Sequence, residues 1–550
     1  MNKLTISIII LILVIIGGIG AYFIFQKFSF FQSLTPPKQL PQQSVTSSLF
    51  GTMIAYGIND AAISTSRMMD TISQKGWTEF RKDDVAYQNL LSNFKKVAQD
   101  HTKLIETTGF SFDRELVPYF TWNIIEPEKG RFDWELTDLY VQAASNAGIK
   151  ISAVIQPFAD WDQKNTQTNK DALDFAYYDY KVGPPKDIAE YQNFLTKIVE
   201  RYKDKVFVWE IGNEPENPGG GYQNNPEGYF DLVKITSETI KKADLEAKVT
   251  NGGAMEIVGM RESDSFKAFW TKFFVLGGGQ YLDYFNVHYN IERNMNAKLN
   301  QATFEKNLVA FNDLMDENGD RKPLYLTEFG IYSGPPSSQP GGQPVQGQPP
   351  VSGGGICGDN ICDDFEKQNL NMCSQDCGGS TPSGDQKQPF GQPIQEQAIG
   401  QNIQPNKEQA LNNLSENDQA VLYFKYSTLA FANGANLIFI DLIGPDNNMV
   451  GSSMVFNIDN QPRLFLTTLK MIDSKISGFS KVERIVSGQY KFTVGNKTIY
   501  ALWSETLPNE ISGQVRITDM KGKESFMNAA GIKLNIDQPV FIELWGSIKS

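Results

Sequence analysis

Val206-Phe207-Val208-Trp209-Glu210-Ile211-Gly212-Asn213-Glu214-Pro215 reads as an apolar strand that stops at an Asn-Glu-Pro turn. An apolar run of strand length bounded by a turn signal belongs to a buried strand, as in a sheet covered by helices. Folds of that kind keep their chemistry at the carboxyl ends of the strands, so Glu214 stands where a working carboxylate is expected. Its counterpart lies downstream. Pro323-Leu324-Tyr325-Leu326-Thr327-Glu328-Phe329-Gly330 is a second apolar strand that also ends in a Glu and a turn.

Outward from these two stretches the hydrophobic periodicity alternates regularly. Strands are predicted at 50–57, 116–125, 149–156, 206–211, 248–253, 281–289, 324–329 and 436–442. Helices fall between and after them at 84–107, 136–147, 187–202, 228–243, 265–276, 304–317, 417–433 and 463–474. Eight strand–helix units imply a parallel sheet closed into an α/β (β/α)8 TIM barrel over residues 49–475. The competing fold, an open doubly wound sheet, would carry a Gly-rich phosphate loop after its first strand, and none is found. From 476 to 550 the pattern changes to short period-two runs separated by Gly, Asn and Asp, which predicts an antiparallel β-sandwich domain packed on the barrel. Trp503 and Trp545 lie in those runs, either as core or as a sugar platform.

Composition sets the outer limits. The chain has 550 residues, with 41% hydrophobic, 12% aromatic and 21% charged, which is globular and long enough for a barrel plus appendages. A net charge of −13 excludes a basic nucleic-acid or anionic-membrane surface. Residues 1–28 hold an apolar run of roughly 22 residues, enough to cross a bilayer at about 1.5 Å per residue. No small-residue cleavage site follows, so the segment reads as a transmembrane signal anchor, the alternative being a cleaved signal peptide. Lys3 and Lys27 flank it almost symmetrically and leave its orientation open. Residues 29–48, with Pro36, Pro37 and Pro41, suit a spacer.

Residues 334–406 interrupt the barrel after its seventh strand with Pro-, Gly- and Gln-rich sequence unable to build a core. All four cysteines fall within it, as Cys357-x4-Cys362-x10-Cys373-x3-Cys377. The spacing fits a disulfide-stapled module in an extracytoplasmic protein better than a four-thiolate zinc site, which usually shows Cys-x2-Cys pairs. That places the globular part outside the membrane.

Two carboxylates on two strand tips are the equipment of glycoside hydrolysis. Trp209-Glu210-Ile211-Gly212-Asn213-Glu214-Pro215 and Tyr325-Leu326-Thr327-Glu328-Phe329-Gly330 resemble the paired motifs of the clan A retaining glycoside hydrolases. Trp122-Asn123-Ile124-Ile125-Glu126-Pro127-Glu128-Lys129-Gly130-Arg131-Phe132-Asp133-Trp134 is similar to a turn common in that clan. The resemblance is nearest to the xylosidase and iduronidase relatives or the cellulase-like family. It implies Glu214 as acid/base and Glu328 as nucleophile, acting on an oligo- or polysaccharide with no cofactor in the chemistry. A retaining mechanism needs the two carboxyl groups about 5 to 5.5 Å apart, one protonated and one ionised. Ionised Glu328 is expected to help hold the proton on Glu214.

Around the pair, Asn213 has an amide able to bond a sugar 2-hydroxyl. His288, at the tip of the sixth strand, is either a sugar-binding or orienting residue or a structural histidine. The clan often has His-x-Tyr there, whereas this chain has His288-Tyr289-Asn290, so Tyr289 is the candidate to bond the nucleophile. Trp122, Trp161, Tyr222 and Tyr332 follow predicted strands and are candidates for stacking on sugar or for packing. Two departures weaken the resemblance. The Arg that relatives carry in the second strand is missing from 117–122, with Arg114 too early, and Asp441 stands near the end of strand eight where many have Trp.

The cysteine segment resembles small calcium-binding modules of extracellular proteins, with Asp359, Asn360, Asp363, Glu366 and Asp376 as oxygen donors for a structural Ca2+. The alternative is a solvated acidic loop held by two disulfides. The rival to an enzyme is a noncatalytic membrane-anchored surface protein that keeps the barrel to bind glycan or protein.

Overall fold

The computed structural model describes residues 48–53, 80–115, 119–163, 184–217, 220–259, 263–291, 297–331, 415–441 and 462–545. The segment expected to be an N-terminal anchor, most of the expected spacer, and the insertion with its cysteines, Tyr332 and the expected calcium donors Asp359, Asn360, Asp363, Glu366 and Asp376 lie outside the described residues. Among the described residues, no helix is long and apolar enough to cross a membrane.

Eight strands form one parallel sheet: β1 (Phe50–Met53), β2 (Phe112–Glu115), β3 (Lys150–Ile155), β4 (Val206–Ile211), β5 (Val249–Asn251), β6 (Phe285–Ile291), β7 (Leu324–Ile331) and β8 (Ala435–Asp441). Its order is β5-β4-β3-β2-β1-β8-β7-β6. The two ends meet through bridges between Thr250 and Tyr284 and between Ala254 and Val287, so the sheet closes into a barrel. The apolar residues of the strands explain the closure. One set, with Phe112, Val208, Tyr284, Tyr325, Leu437 and Phe439, clusters apart from the larger core and fills the barrel, while the larger core lies between strands and helices. The filling is tight enough that a Cβ on Gly51 would come within 2.6 Å of the Phe439 ring.

Each helix adds its own reason. Pro226–Ala243 starts at Asn225, whose side chain accepts from Gly228 N, has Pro at its first turn, and ends in Lys241 and Lys242, which complement the helix dipole. Its inner face buries Tyr229, Leu232, Val233 and Ile240, each worth about 1.5–3 kcal/mol of transfer energy if fully removed from water. The Tyr229 hydroxyl donates to Ile211 O at 2.9 Å and accepts from Gly252 N at 2.9 Å, tying β4 to the end of β5.

The predicted second strand is displaced. Residues 119–125 form a turn and a short helix, and β2 is Phe112–Glu115. The preceding helix, Asp84–Thr108, is stopped by Gly109 in the left-handed region (φ 75), and the chain enters the sheet three residues later. The C-terminal unit is one six-stranded antiparallel sheet, β13-β12-β14-β11-β10-β9, with β9 at Phe479–Val486, β10 at Gln489–Val494, β11 at Lys497–Leu502, β12 at Gln514–Asp519, β13 at Glu524–Asn528 and β14 at Val540–Leu544. Its facing layer is made by barrel helices: Phe424 packs on Phe541 (4.9 Å between ring centroids) and Phe431 on Phe479 (5.7 Å). Trp503 is core, stacked on Tyr490, whereas Trp545 is half exposed beside Phe526.

Candidate active site

Arg114 is the residue around which the mouth of the barrel is built, and the displaced β2 puts it there. It is fully buried, and its donors are spent on four partners. Nε and Nη2 grip the Glu210 carboxylate at 2.9 and 2.5 Å, Nη1 reaches Glu328 Oε1 at 2.8 Å and Met53 Sδ at 3.2 Å, and Nη2 also reaches Asn213 Oδ1 at 2.8 Å. A guanidinium taken out of water needs this charge compensation, and Glu210, itself 0% exposed, supplies much of it. Although burial opposes its charge, Glu210 and Glu328 hold the guanidinium protonated well beyond its ordinary range.

Glu328 is aimed by a defect in strand pairing. Strict alternation would send Thr327 and Glu328 to opposite faces of β7. The β6–β7 register shifts between Val287 and His288, and the β7–β8 register between Leu326 and Phe329. Both side chains then meet inward groups: Thr327 Oγ1 lies 3.1 Å from His288 Nε2, and Glu328 Oε1 contacts Arg114.

Glu214 is aimed by backbone strain. Its φ is +43, a left-handed conformation that costs a non-Gly residue about 1–3 kcal/mol. The cost is met locally. Glu214 N donates to Gly252 O, and Asn217 Nδ2 donates to Glu214 Oε2 at 3.1 Å. Gly253 permits the close approach on the other side, since a Cβ there would fall 2.0 Å from His288 Nε2.

His288 joins the two carboxylates. Its Nδ1 stands 2.9 Å from Glu214 Oε1 and 3.6 Å from Glu328 Oε1. The tautomer follows from its other nitrogen. Thr327 Oγ1 donates its one proton to Asn286 Oδ1 at 2.9 Å, so it must accept from His288 Nε2–H. The remaining proton is therefore shared between Nδ1 and Glu214 Oε1. Burial works to raise Glu214, but the hydrogen bond and charge of His288, with Asn217 and Arg114, outweigh it and lower the carboxyl. Burial works to lower His288, but the Glu328 charge and the Glu214 bond outweigh it and raise the imidazole. The shared proton thus rests on the histidine side, where the Glu328 charge helps hold it. An oxygen of Glu214 and one of Glu328 lie within 4.8 Å of each other, with His288 as the third member of the group.

Other expected residues fall elsewhere. Tyr289 does not face the nucleophile; it is buried between Phe304 (4.6 Å) and Tyr426 (6.4 Å), because it follows His288 on the strand and points to the helix layer. Trp122 is 0% exposed, packed against Trp161, Tyr191 and Phe194, with its indole donating to Glu126 Oε2 at 2.7 Å, so it holds the turn instead of stacking on sugar. Trp161 is half-buried and donates to Glu126 O at 2.7 Å. Tyr222 is buried against Tyr229. Asn213 keeps its place at the mouth: its oxygen is taken by Arg114, which directs the amide N–H2 outward. Arg114, Glu210, Thr327 and Asn217 were not read as site residues from sequence. The helix-stopping Gly109 was the available signal for Arg114.

No protein-family profile matches the chain. An endo-1,4-beta-xylanase A from Halalkalibacterium halodurans is 27% identical over 127 residues, and this match spans 22% of the chain and about a third (32%) of the xylanase. The chain resembles clan A glycoside hydrolases. Among solved structures, a family 39 glycoside hydrolase from Bacteroides cellulosilyticus WH2 is 15% identical with a TM-score of 0.48, over 82% of this chain and 78% of that one. A GH39 beta-xylosidase from Caulobacter crescentus is 11% identical with a TM-score of 0.48, over 93% of this chain and 98% of its own.

Proposed function

We propose that the chain is a retaining glycoside hydrolase that cleaves O-glycosidic bonds of an oligo- or polysaccharide, with Glu328 as nucleophile and Glu214 as acid/base. The observation that carries this reading is the separation of the two carboxylates, whose oxygens approach within 4.8 Å. Retaining enzymes hold the pair about 5–5.5 Å apart, whereas inverting enzymes need about 6.5–9.5 Å to admit a water. The noncatalytic reading draws on two departures, the second-strand Arg and the strand-eight Trp; Arg114 on β2 supplies the first, while Asp441 stands in place of the second.

In the first step Glu328 attacks the anomeric carbon while the bond to the leaving oxygen breaks. The leaving oxygen takes the proton shared by Glu214 and His288, and a glycosyl ester forms on Glu328. Arg114 holds Glu328 Oε1 in line, and the Asn213 amide is available to a sugar hydroxyl. In the second step water attacks the same carbon, gives its proton to the Glu214 carboxylate, and releases Glu328 as the carboxylate. No cofactor enters either step. The N-terminal anchor and the cysteine cluster support an extracytoplasmic location at the cell membrane.

The test is incubation with a panel of activated 2-fluoro glycosides followed by mass analysis. Mass added at Glu328 is the expected result, and a folded protein that shows neither labelling nor turnover across the panel refutes the reading.

A further inference from the structure

Two residues beyond Glu214 the same turn carries a second carboxyl that the mechanism does not use. Glu216 is 0% exposed. Its Oε1 accepts from Met255 N at 2.6 Å, on the loop after β5, and from the Trp270 indole at 2.9 Å, on helix Ser263–Val275. Its Oε2 is buried with no hydrogen-bond partner, and among the described residues no cation pairs with it. A buried carboxyl with one oxygen unsatisfied is costly, and such a group persists in a fold where its other bonds do something.

We propose that Glu216 is a positioning residue for Glu214, a clasp that ties the acid/base turn to the Met255 loop and to helix Ser263–Val275. This rests on the reading of Glu214 as acid/base. The turn needs such a clasp, because Glu214 sits at φ +43 and a relaxed backbone would swing its carboxyl out of line with the leaving oxygen. The anchoring points are independent of one another: Gly252 O takes Glu214 N, Met255 N and Trp270 hold Glu216, and Asn217 returns to Glu214 Oε2.

The clasp closes as a neutral carboxyl. Facing it are Glu214 from its own turn, Met255 N from the β5 loop, the Trp270 indole from its helix, and the Tyr229 phenol from helix Pro226–Ala243, which burial holds protonated. Only N–H donors favour the anion: the Trp270 indole, the backbone N–H of Glu216 itself and Met255 N. Burial, with the Glu214 charge added, pushes Glu216 up to about 7. Above that pH an uncompensated charge is buried beside Glu214, and the turn opens to hydrate it.

The experiment compares Glu216→Ala, Glu216→Gln and wild type, as full-length protein, on glycosides with a dinitrophenol leaving group and with a sugar or alkyl leaving group. Dinitrophenolate departs without a proton, so kcat/KM on that substrate, which reports the first step, does not depend on the acid. A misplaced acid is expected to cost E216A about 100-fold in kcat/KM on the poor leaving group, with kcat/KM on the dinitrophenyl substrate unaffected. E216Q, which keeps the acceptor oxygen, should recover most of that loss and extend activity to higher pH. An equal fall in kcat/KM on both substrates, or on neither, overturns the proposal. A readout independent of turnover is the pH titration of Trp270 fluorescence, taken as wild type minus Trp270→Phe. An inflection near 7 that vanishes in E216Q supports the clasp, and its absence in wild type overturns it. If wild type turns over no glycoside, the glycosidase reading fails while the fluorescence titration still decides whether Glu216 titrates against Trp270.

Discussion

Replacing Glu216 by Gln should stabilise the protein relative to wild type progressively as pH rises from 4.5 to about 7. Glu216 is fully buried and lifted from 4.5 to about 7, chiefly by burial, with Glu214 adding to it. Between those two values the folded state binds the proton more tightly than the unfolded chain does. The associated stability is fully present below 4.5 and is lost as pH rises through about 7. At about 1.4 kcal/mol per tenfold change in proton affinity, the loss amounts to about 3 kcal/mol above neutrality. E216Q cannot ionise, so its stability lacks this component. Guanidinium unfolding of wild type and variant at pH 4.5, 6, 7 and 8.5 measures the difference directly, since every other titrating group is common to both. The advantage of E216Q over wild type should grow across that range by about 3 kcal/mol. Parallel stability curves, with no growth between pH 4.5 and 8.5, would show that Glu216 is ionised throughout and refute the reasoning.

Arg114→Met leaves the buried Glu210 and Glu328 uncompensated and should destabilise by about 3–5 kcal/mol, with kcat/KM falling more than about 100-fold; adding Glu210→Gln should recover stability in denaturant melts without recovering activity. His288→Asn removes the imidazole that keeps the shared proton above the ordinary value of 6.5, so the alkaline limb of the kcat/KM profile should move to lower pH. Gly253→Ala places a methyl 2.0 Å from His288 Nε2 at a φ of +70, and should lower both melting temperature and kcat while Gly130→Ala, with nothing within 4 Å, costs only its backbone strain. Calcium should protect the Cys357–Cys377 segment from proteolysis, and indifference to chelator removes the metal from the account.

Strand order and the two glutamates were legible in the sequence because both depend on local pattern. A buried strand in a barrel has to be apolar over its length, so Val206–Ile211 and Leu324–Ile331 announce themselves, and Glu214 just past the first and Glu328 near the carboxyl end of the second are site residues by position alone. What could not be read is whatever depends on phase. The Gly109 stop moves β2 forward by a few residues, which turns Arg114 from a loop residue into the centre of the site and Trp122 from a rim aromatic into core. The β7 register shift brings Thr327 and Glu328 inward together, and simple alternation sends Tyr289 outward to Phe304 instead of toward the nucleophile. The resting place of the proton lies still further from sequence, because it is decided by distances of 2.9 and 3.6 Å from one imidazole nitrogen to two carboxylates on different strands. The sequence by itself determined the alternation of elements and which carboxylates face each other. Only the tertiary structure decided how they are charged and held, because desolvation and Coulomb energy depend on separations that residues distant in the chain create when the barrel closes.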